Sequence, residues 1–159
     1  MNVAAPAWRR VEDLEDLAKA CVRQSLAMSE AKLAPECEIS VTFCDDTAIQ
    51  DLNAEWRGKD QPTNVLSFPT PGLLERKPLL GDVIVAFETV AREAEEQGTL
   101  LRAHTAHMIA HGFLHLIGYD HETAAEAERM EALERKIATA LGFPDPYADD
   151  ADGPAGGAN

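Results

Sequence analysis

The chain has 159 residues, of which 45% are hydrophobic, and this size and composition are typical of one soluble globular domain. It has no apolar run near the ~18 residues that a membrane span needs and no apolar signal-peptide core near its N-terminus, so we expect a cytoplasmic protein with no membrane partner. A net charge of −14 disfavours tight, non-specific coating of DNA or RNA, because phosphate binding needs Lys and Arg, and no DNA partner is expected.

The first part of the chain predicts two helices separated by a strand. After a short extended start, apolar positions recur at helical spacing over Val11 to Ser29 and predict an amphipathic helix. Glu38 to Cys44 alternates between apolar and polar residues, as a strand does. Asp45 or Asp46 can cap a second helix, which would end just before Gly58.

The middle of the chain predicts two strands and a helix. Prolines bracket a short strand over Asn64 to Phe68, and an irregular loop follows over Thr70 to Leu79. Gly81 to Phe87 contains an unbroken apolar run, which is typical of a strand covered on both faces. A helix is predicted over Glu88 to Gln97.

The last part predicts two more helices and a tail. Thr99 can cap a long helix that carries most of the histidines and ends near Gly118. A capping box beginning at Thr123 would open the final helix, which would end at Gly142. Asp, Ala, Gly and Pro dominate residues 144–159, so a disordered acidic tail is predicted there.

Together these elements predict the fold class and the domain organisation. The expected class is α+β, with a small mixed β-sheet of about four strands packed by about five helices. Residues 1–143 would form a single domain, and nothing in the sequence indicates a second one.

Three histidines at the spacing H-x3-H-x5-H form the most informative pattern. On a helix, His111 and His115 share one face with Cβ atoms ~5–6 Å apart, so both imidazoles can reach one ion. His121 cannot reach that face if the helix simply continues. Six further residues rotate the helix by about 600°, which leaves His121 about 120° away from the face of His111 and His115. A left-handed Gly118 would end the helix and let a turn bring His121 back. Three imidazoles and one open position are typical of a catalytic zinc site, so we predict one bound Zn²⁺.

The same pattern is similar to the metzincin protease motif H-E-x-x-H-x-x-G-x-x-H. All three histidines and the glycine are present, but Gly112 stands where the catalytic Glu of those proteases would be. Peptide hydrolysis by that mechanism is therefore disfavoured. His104 and His107 lie on the helical stripe of His111, where roles in packing or in supporting a ligand are favoured over metal binding.

A basic loop precedes the histidines in the chain. From Trp56 to Gly81, basic residues outnumber acidic ones by four to two, in a chain that is otherwise strongly acidic. A confined basic patch near a metal site fits transient binding of an anionic substrate. Charge alone fits a solvated surface loop equally well.

With these residues placed, the sequence resembles the YbeY family of bacterial endoribonucleases, also called rRNA maturation factors. The match covers roughly Val41 to Leu141. Its specific parts are N-x-x-W-R-G-K-D-x-P-T-N-V-L-S-F-P from Asn53, L-G-D from Leu80 and H-G-x-L-H-L-x-G-Y-D-H from His111. The first forty residues match weakly.

The resemblance implies a zinc-dependent, single-strand-specific endoribonuclease that acts in 16S rRNA 3′-end maturation and ribosome quality control. Its implied partners are single-stranded RNA, rRNA and the small ribosomal subunit. The metal ligands of the family fall on His111, His115 and His121, and its functional arginine falls on Arg57, which completes the set of expected catalytic residues.

The expected chemistry leaves one role open. A planar, permanently charged Arg57 guanidinium can bind two oxygens of the scissile phosphate, with Lys59 as a weaker contact. The sequence does not identify the general base: the candidates are a zinc hydroxide, Asp82, Asp120, or the RNA 2′-hydroxyl acting as internal nucleophile, and Asp120 could instead orient a ligand. Two other functions remain: a metallohydrolase of another class, such as a peptidase, and a non-catalytic ribosome-assembly factor with a structural metal.

Overall fold

The helices and strands mostly follow the periodicities of the sequence. A computed structural model describes residues 1–148. The strands are β1 (Asn2–Val3), β2 (Glu38–Cys44), β3 (Val65–Pro69) and β4 (Leu79–Ala86). The helices are α1 (Leu14–Ser29), α2 (Asp46–Arg57), α3 (Phe87–Gln97), α4 (Leu101–Leu116) and α5 (Ala124–Ala140), and a short 3-10 helix spans Pro6–Arg10.

The four strands form one mixed sheet in the order β1-β2-β4-β3. β2 is parallel to β1 and β4, whereas β3 is antiparallel to β4 and forms one edge. On one face, Val83 and Val85 of β4 pack into the larger core with residues of α1 and α4, and on the other Ile84 packs with Ile49 of α2. β4 is therefore covered on both faces, and the predicted α+β class with a mixed sheet is confirmed.

Helix α4 is the centre of the fold. It contacts α1, α3, α5, β3 and β4, and its residues Ile109, Phe113 and Leu114 are fully buried. Because apolar residues surround the helix on most sides, its histidines are held within the protein.

Within residues 1–148 no helix combines the length and apolar character that crossing a bilayer requires.

The N-terminal segment is anchored to the sheet by Trp8. This side chain is 1% exposed, and its indole N–H donates to the Cys44 carbonyl oxygen at 2.8 Å. The ring meets Phe43 and Phe87 edge to face at centroid distances of 5.0 and 5.2 Å. The 3-10 helix carries Trp8 into this position, which explains why α1 begins at Leu14, later than predicted.

Two predicted helix caps are confirmed and one is wrong. The side chains of Asp45 and Thr123 accept backbone N–H bonds at the starts of α2 and α5. Thr99 does not cap α4, which begins after Leu100 with no side-chain cap. Instead the Thr99 N–H donates to the Ala94 carbonyl oxygen at 2.9 Å, so Thr99 belongs to the turn that ends α3.

The packed part of the chain extends beyond the predicted domain boundary at residue 143. Tyr147 is only 4% exposed and contacts Glu134 of α5 and His107 of α4. Tyr147, which belongs to the segment predicted to be a disordered tail, therefore lies against the core. Its remainder, residues 149–159, lies outside the described part of the chain.

Candidate metal centre and cleft

His111 and His115 lie one turn apart near the end of α4, as the spacing predicts. Their Nε2 atoms are 3.2 Å apart, and their ring centroids are separated by 4.7 Å. His111 is buried and His115 is partly buried, because α4 itself is surrounded by other elements. Two nitrogen ligand atoms are therefore available at one point.

The chain turns sharply after α4. The helix ends at Leu116, and Gly118 has φ +105°, a conformation that favours glycine because a Cβ atom would be strained there. The Tyr119 N–H returns to the Leu114 carbonyl oxygen at 3.0 Å. The predicted glycine-terminated helix is present, and the chain reverses toward the histidines.

His121 follows this turn and returns to the other two imidazoles. Its ring centroid lies 5.0 Å from that of His115 and 5.6 Å from that of His111. The Asp120 carboxylate accepts the backbone N–H of His121 at 2.8 Å, which stabilises the local conformation. The structure thus brings the three predicted side chains together.

The three side chains fit a metal ion. One nitrogen from each lies within 4.8 Å of the others. In a tetrahedral site with bonds of ~2.0–2.1 Å, ligand atoms lie about 3.4 Å apart, which is close to the 3.2 Å between the Nε2 atoms of His111 and His115. In the described part of the chain, His111, His115 and His121 form a group of three with no further Cys, Asp or Glu. An open position is therefore available beside them.

The electrostatics favour a neutral His115. Burial and the neighbouring His111 and His121 lower the pKa of His115 to about 4. A neutral imidazole is the form that binds metals. His115 is therefore ready to bind an ion without first losing a proton at neutral pH.

This lowered pKa predicts a pH effect on the metal-free protein. In the unfolded chain His115 has an ordinary pKa of ~6.5, so the unfolded state takes up the proton first as pH falls. The free energy of unfolding should therefore decrease as pH is lowered from 6.5 toward 4. Urea unfolding at several pH values checks this. His115→Gln should flatten the dependence, and an equal slope in both proteins would contradict the prediction.

Glu134 is a residue of the site that the sequence analysis missed. Its carboxylate is 2% exposed and accepts from His111 Nδ1 and His107 Nε2, each at 2.8 Å. Burial alone would raise its pKa, but the hydrogen bonds from the two histidines outweigh burial and lower the pKa to about 2. A signal existed, because Glu134 lies four residues after Met130 and three before Ile137, on one apolar face of the helix, where a charged residue needs a partner.

The two remaining histidines have carboxylate partners. His107 contacts Glu134, so it supports a carboxylate that contacts His111, in keeping with the predicted supporting role. His104 is buried and lies 2.9 Å from Glu93, which also accepts from the Asn64 amide. The structure therefore places His104 in the packed interior, hydrogen-bonded to Glu93 and away from the three-histidine group.

The three histidines line a cleft of about 980 Å³ that also contains basic side chains. Arg57, the last residue of α2, lines it and donates to the Ser67 carbonyl oxygen at 2.7 Å. Its guanidinium also lies over the Phe68 ring, 5.2 Å from the centroid. Two elements distant in sequence thus place Arg57 and the histidines in one cavity.

The four basic residues of the predicted patch lie in different environments. Arg57 and Lys59 line the cleft. Lys77 is buried and donates to the Thr70 carbonyl oxygen at 2.7 Å, so it stabilises the loop before β4. Arg76 is exposed and lies outside the cleft lining. Two of the four basic residues are therefore available to an anionic ligand in the cleft.

The two carboxylates considered for the role of general base lie in different places. Asp120 lines the cleft next to His121. Asp82 lies in β4, where it pairs with Phe68, and is not among the residues that line the cleft. The geometry favours Asp120 over Asp82 for any proton transfer in the cleft.

These observations define a class of protein: an α+β domain with a three-histidine candidate metal centre in a cleft that also contains basic side chains. The solved structure of a Thermotoga maritima protein, determined in solution, has a similar fold. Its TM-score is 0.56 at 21% identity, and the similarity covers 99% of this chain and 98% of that one.

The comparison of sequences is more specific. The family model described as Endoribonuclease YbeY matches residues 7–142. Proteins named Endoribonuclease YbeY are similar in Methylocella silvestris, with 56% identity over 92% of this chain and 84% of the relative, and in Rhodopseudomonas palustris strain HaA2, with 47% identity over 92% and 80%. The chain therefore belongs to the YbeY family, as the sequence motifs indicated.

Proposed function

We propose that the protein is a zinc-dependent endoribonuclease that cuts single-stranded RNA in the cytoplasm, during 16S rRNA 3′-end maturation and ribosome quality control. The carrying observation is that three imidazoles with an open position share one cleft with Arg57 in a chain of the YbeY family. The expected partners are rRNA and the small ribosomal subunit. His111, His115 and His121 would hold the zinc ion.

Each group has a distinct task in this proposal. Arg57 binds the scissile phosphate, and its hydrogen bond to Ser67 occupies one of its five N–H donors while fixing its direction. Lys59 adds positive charge along the backbone of the RNA. Zinc, when bound, supplies Lewis-acid chemistry and lowers the pKa of water. The attacking nucleophile, which is either water or the RNA 2′-hydroxyl, would lose its proton to Asp120 in the cleft lining.

A peptidase is less well supported. An extended peptide can bind by adding a strand to an exposed sheet edge, and β3 lies at one edge of this sheet. The Ser67 carbonyl oxygen on that edge is already bound by Arg57, so an added peptide strand would have to displace the guanidinium. An assembly factor with a structural metal is also disfavoured, because a structural zinc site is normally closed by four protein ligands.

A comparison of substrates tests the proposal. Purified protein, with zinc and with a chelator, is incubated with unstructured single-stranded RNA, with duplex RNA and with an unstructured peptide. We expect cleavage of single-stranded RNA only, and loss of cleavage with chelator. Peptide cleavage would favour the peptidase. Unfolding by chelator without cleavage of any substrate would favour the assembly factor.

The role of Arg57 predicts a large kinetic effect. Arg57→Ala should lower kcat/KM for single-stranded RNA about 10²–10³-fold, because a donor aimed at developing charge is lost. Arg57→Lys should recover only part of the rate, since an ammonium is a point charge. Arg76→Ala is the matched control, because Arg76 is exposed and outside the cleft lining. Equal rates for Arg57→Ala and Arg76→Ala would contradict the role.

A further inference from the structure

The Glu134 carboxylate joins three separate parts of the fold. Its Oε1 atom accepts from His107 and His111 of α4, and its Oε2 atom accepts from the Tyr147 hydroxyl at 2.9 Å. The Tyr147 hydroxyl also lies 3.3 Å from His107 Nε2. Both carboxylate oxygens are therefore bound in an interior position, which fixes the orientation of Glu134.

The bond to His111 decides which ring nitrogen carries the proton. A carboxylate only accepts, so His111 Nδ1 must donate to it, which leaves Nε2 with its lone pair in the neutral ring. Nε2 is the atom that lies 3.2 Å from His115 Nε2. The opposite tautomer would put a proton on the nitrogen that points into the three-histidine group.

We propose that Glu134 is a positioning residue of the metal centre, which holds His111 in the metal-binding tautomer and orientation while His107 and Tyr147 hold Glu134. The proposal rests on the proposed function, because it requires His111 to be a metal ligand. A carboxylate that accepts the second N–H of a histidine ligand typically contributes 10–100-fold to metal affinity.

A second ion is the competing interpretation of this cluster, since His107, His111 and Glu134 also have the residue types and spacing of a metal site. The distances favour hydrogen bonds, because the Nδ1 and Nε2 atoms both lie 2.8 Å from one carboxylate oxygen. An ion bound there would need both histidines deprotonated at those atoms. The two interpretations differ in metal stoichiometry, with one ion per chain expected here.

Metal affinity provides the main test. Zinc affinity of the full chain is measured by competition with a chromophoric chelator for the parent, Glu134→Gln and Glu128→Gln. Glu128 is exposed on the same helix, so its variant makes the same charge change away from the histidines. We expect affinity 10–100-fold lower for Glu134→Gln and within twofold of the parent for Glu128→Gln. Unchanged affinity in Glu134→Gln, equal losses in both variants, or two ions per parent chain would overturn the proposal.

Histidine-ring nitrogen NMR gives a second readout that a purely structural role would not change. In the metal-free parent, the neutral form of His111 should be the Nδ1–H tautomer, and Glu134→Gln should show a mixture of tautomers. If that variant does not fold, Tyr147→Phe replaces it, with a smaller loss of zinc affinity expected. An Nε2–H tautomer in the parent would overturn the inference. A parent that binds no zinc would contradict the proposed function as well.

Discussion

Replacing His115 with alanine is expected to abolish zinc binding and RNA cleavage together. The ring centroid of His115 lies 4.7 Å from that of His111 and 5.0 Å from that of His121, and its loss leaves only two of the three ligands. Metal catalysis contributes several kcal/mol of transition-state stabilisation. The rate should therefore fall by at least ~10³-fold.

Metal content by mass spectrometry and cleavage of single-stranded RNA measure this effect. His104→Asn is the control, because it removes a histidine from the same helix that pairs with Glu93 and lies outside the three-histidine group. Its zinc content should equal that of the parent. A His115→Ala protein that retained one equivalent of zinc would show that the ion binds elsewhere.

Introducing the metzincin glutamate by Gly112→Glu is expected to prevent folding, without producing a peptidase. A Cβ atom at position 112 would lie 2.6 Å from Val83 Cγ1 and 3.1 Å from both Ser67 Oγ and Val65 Cγ2. Position 112 faces the sheet where α4 packs on Val65 and Ser67 of β3 and Val83 of β4. A longer, charged side chain there would be buried without a partner, at a cost above ~4 kcal/mol.

A graded series separates packing from charge. Gly112→Ala should lower the free energy of unfolding by about 1–3 kcal/mol, because the new methyl group overpacks the interface despite better helix propensity. Val83→Ala removes the closest atom, so the double variant should be more stable than the sum of the two single effects predicts. Urea unfolding measures all three. Strict additivity would contradict the packing explanation.

Local signals in the sequence predicted much of the fold. The bounds of β2 follow directly from its alternation, and the Asp45 and Thr123 caps depend only on residues within one turn. The metal motif is also local, because a helix and one glycine place all three imidazoles. Thr99 was misassigned because two helices meet there and both could use it.

Contacts between distant elements could not be predicted in this way. Glu134 has an inward position on α5, but its partners His107 and His111 follow only from how α5 packs on α4. The position of Arg57 in the cleft of the histidines depends likewise on a contact between distant elements, because its guanidinium is bound by Ser67 of β3. Its functional role was inferred from the resemblance. Periodicity predicts which face of a helix or strand is buried, but not which residues of other elements that face will contact.

The contact between Tyr147 and Glu134 has a consequence for biosynthesis. A ribosome makes the chain from its N-terminus, so the three clustered imidazoles emerge before the carboxylate and phenol that brace them. During translation the nascent centre lacks this support, and it is assembled only after α5 and the segment that follows have been made. Completion of the last helix and of Tyr147 is therefore the step at which the ring of His111 becomes fixed.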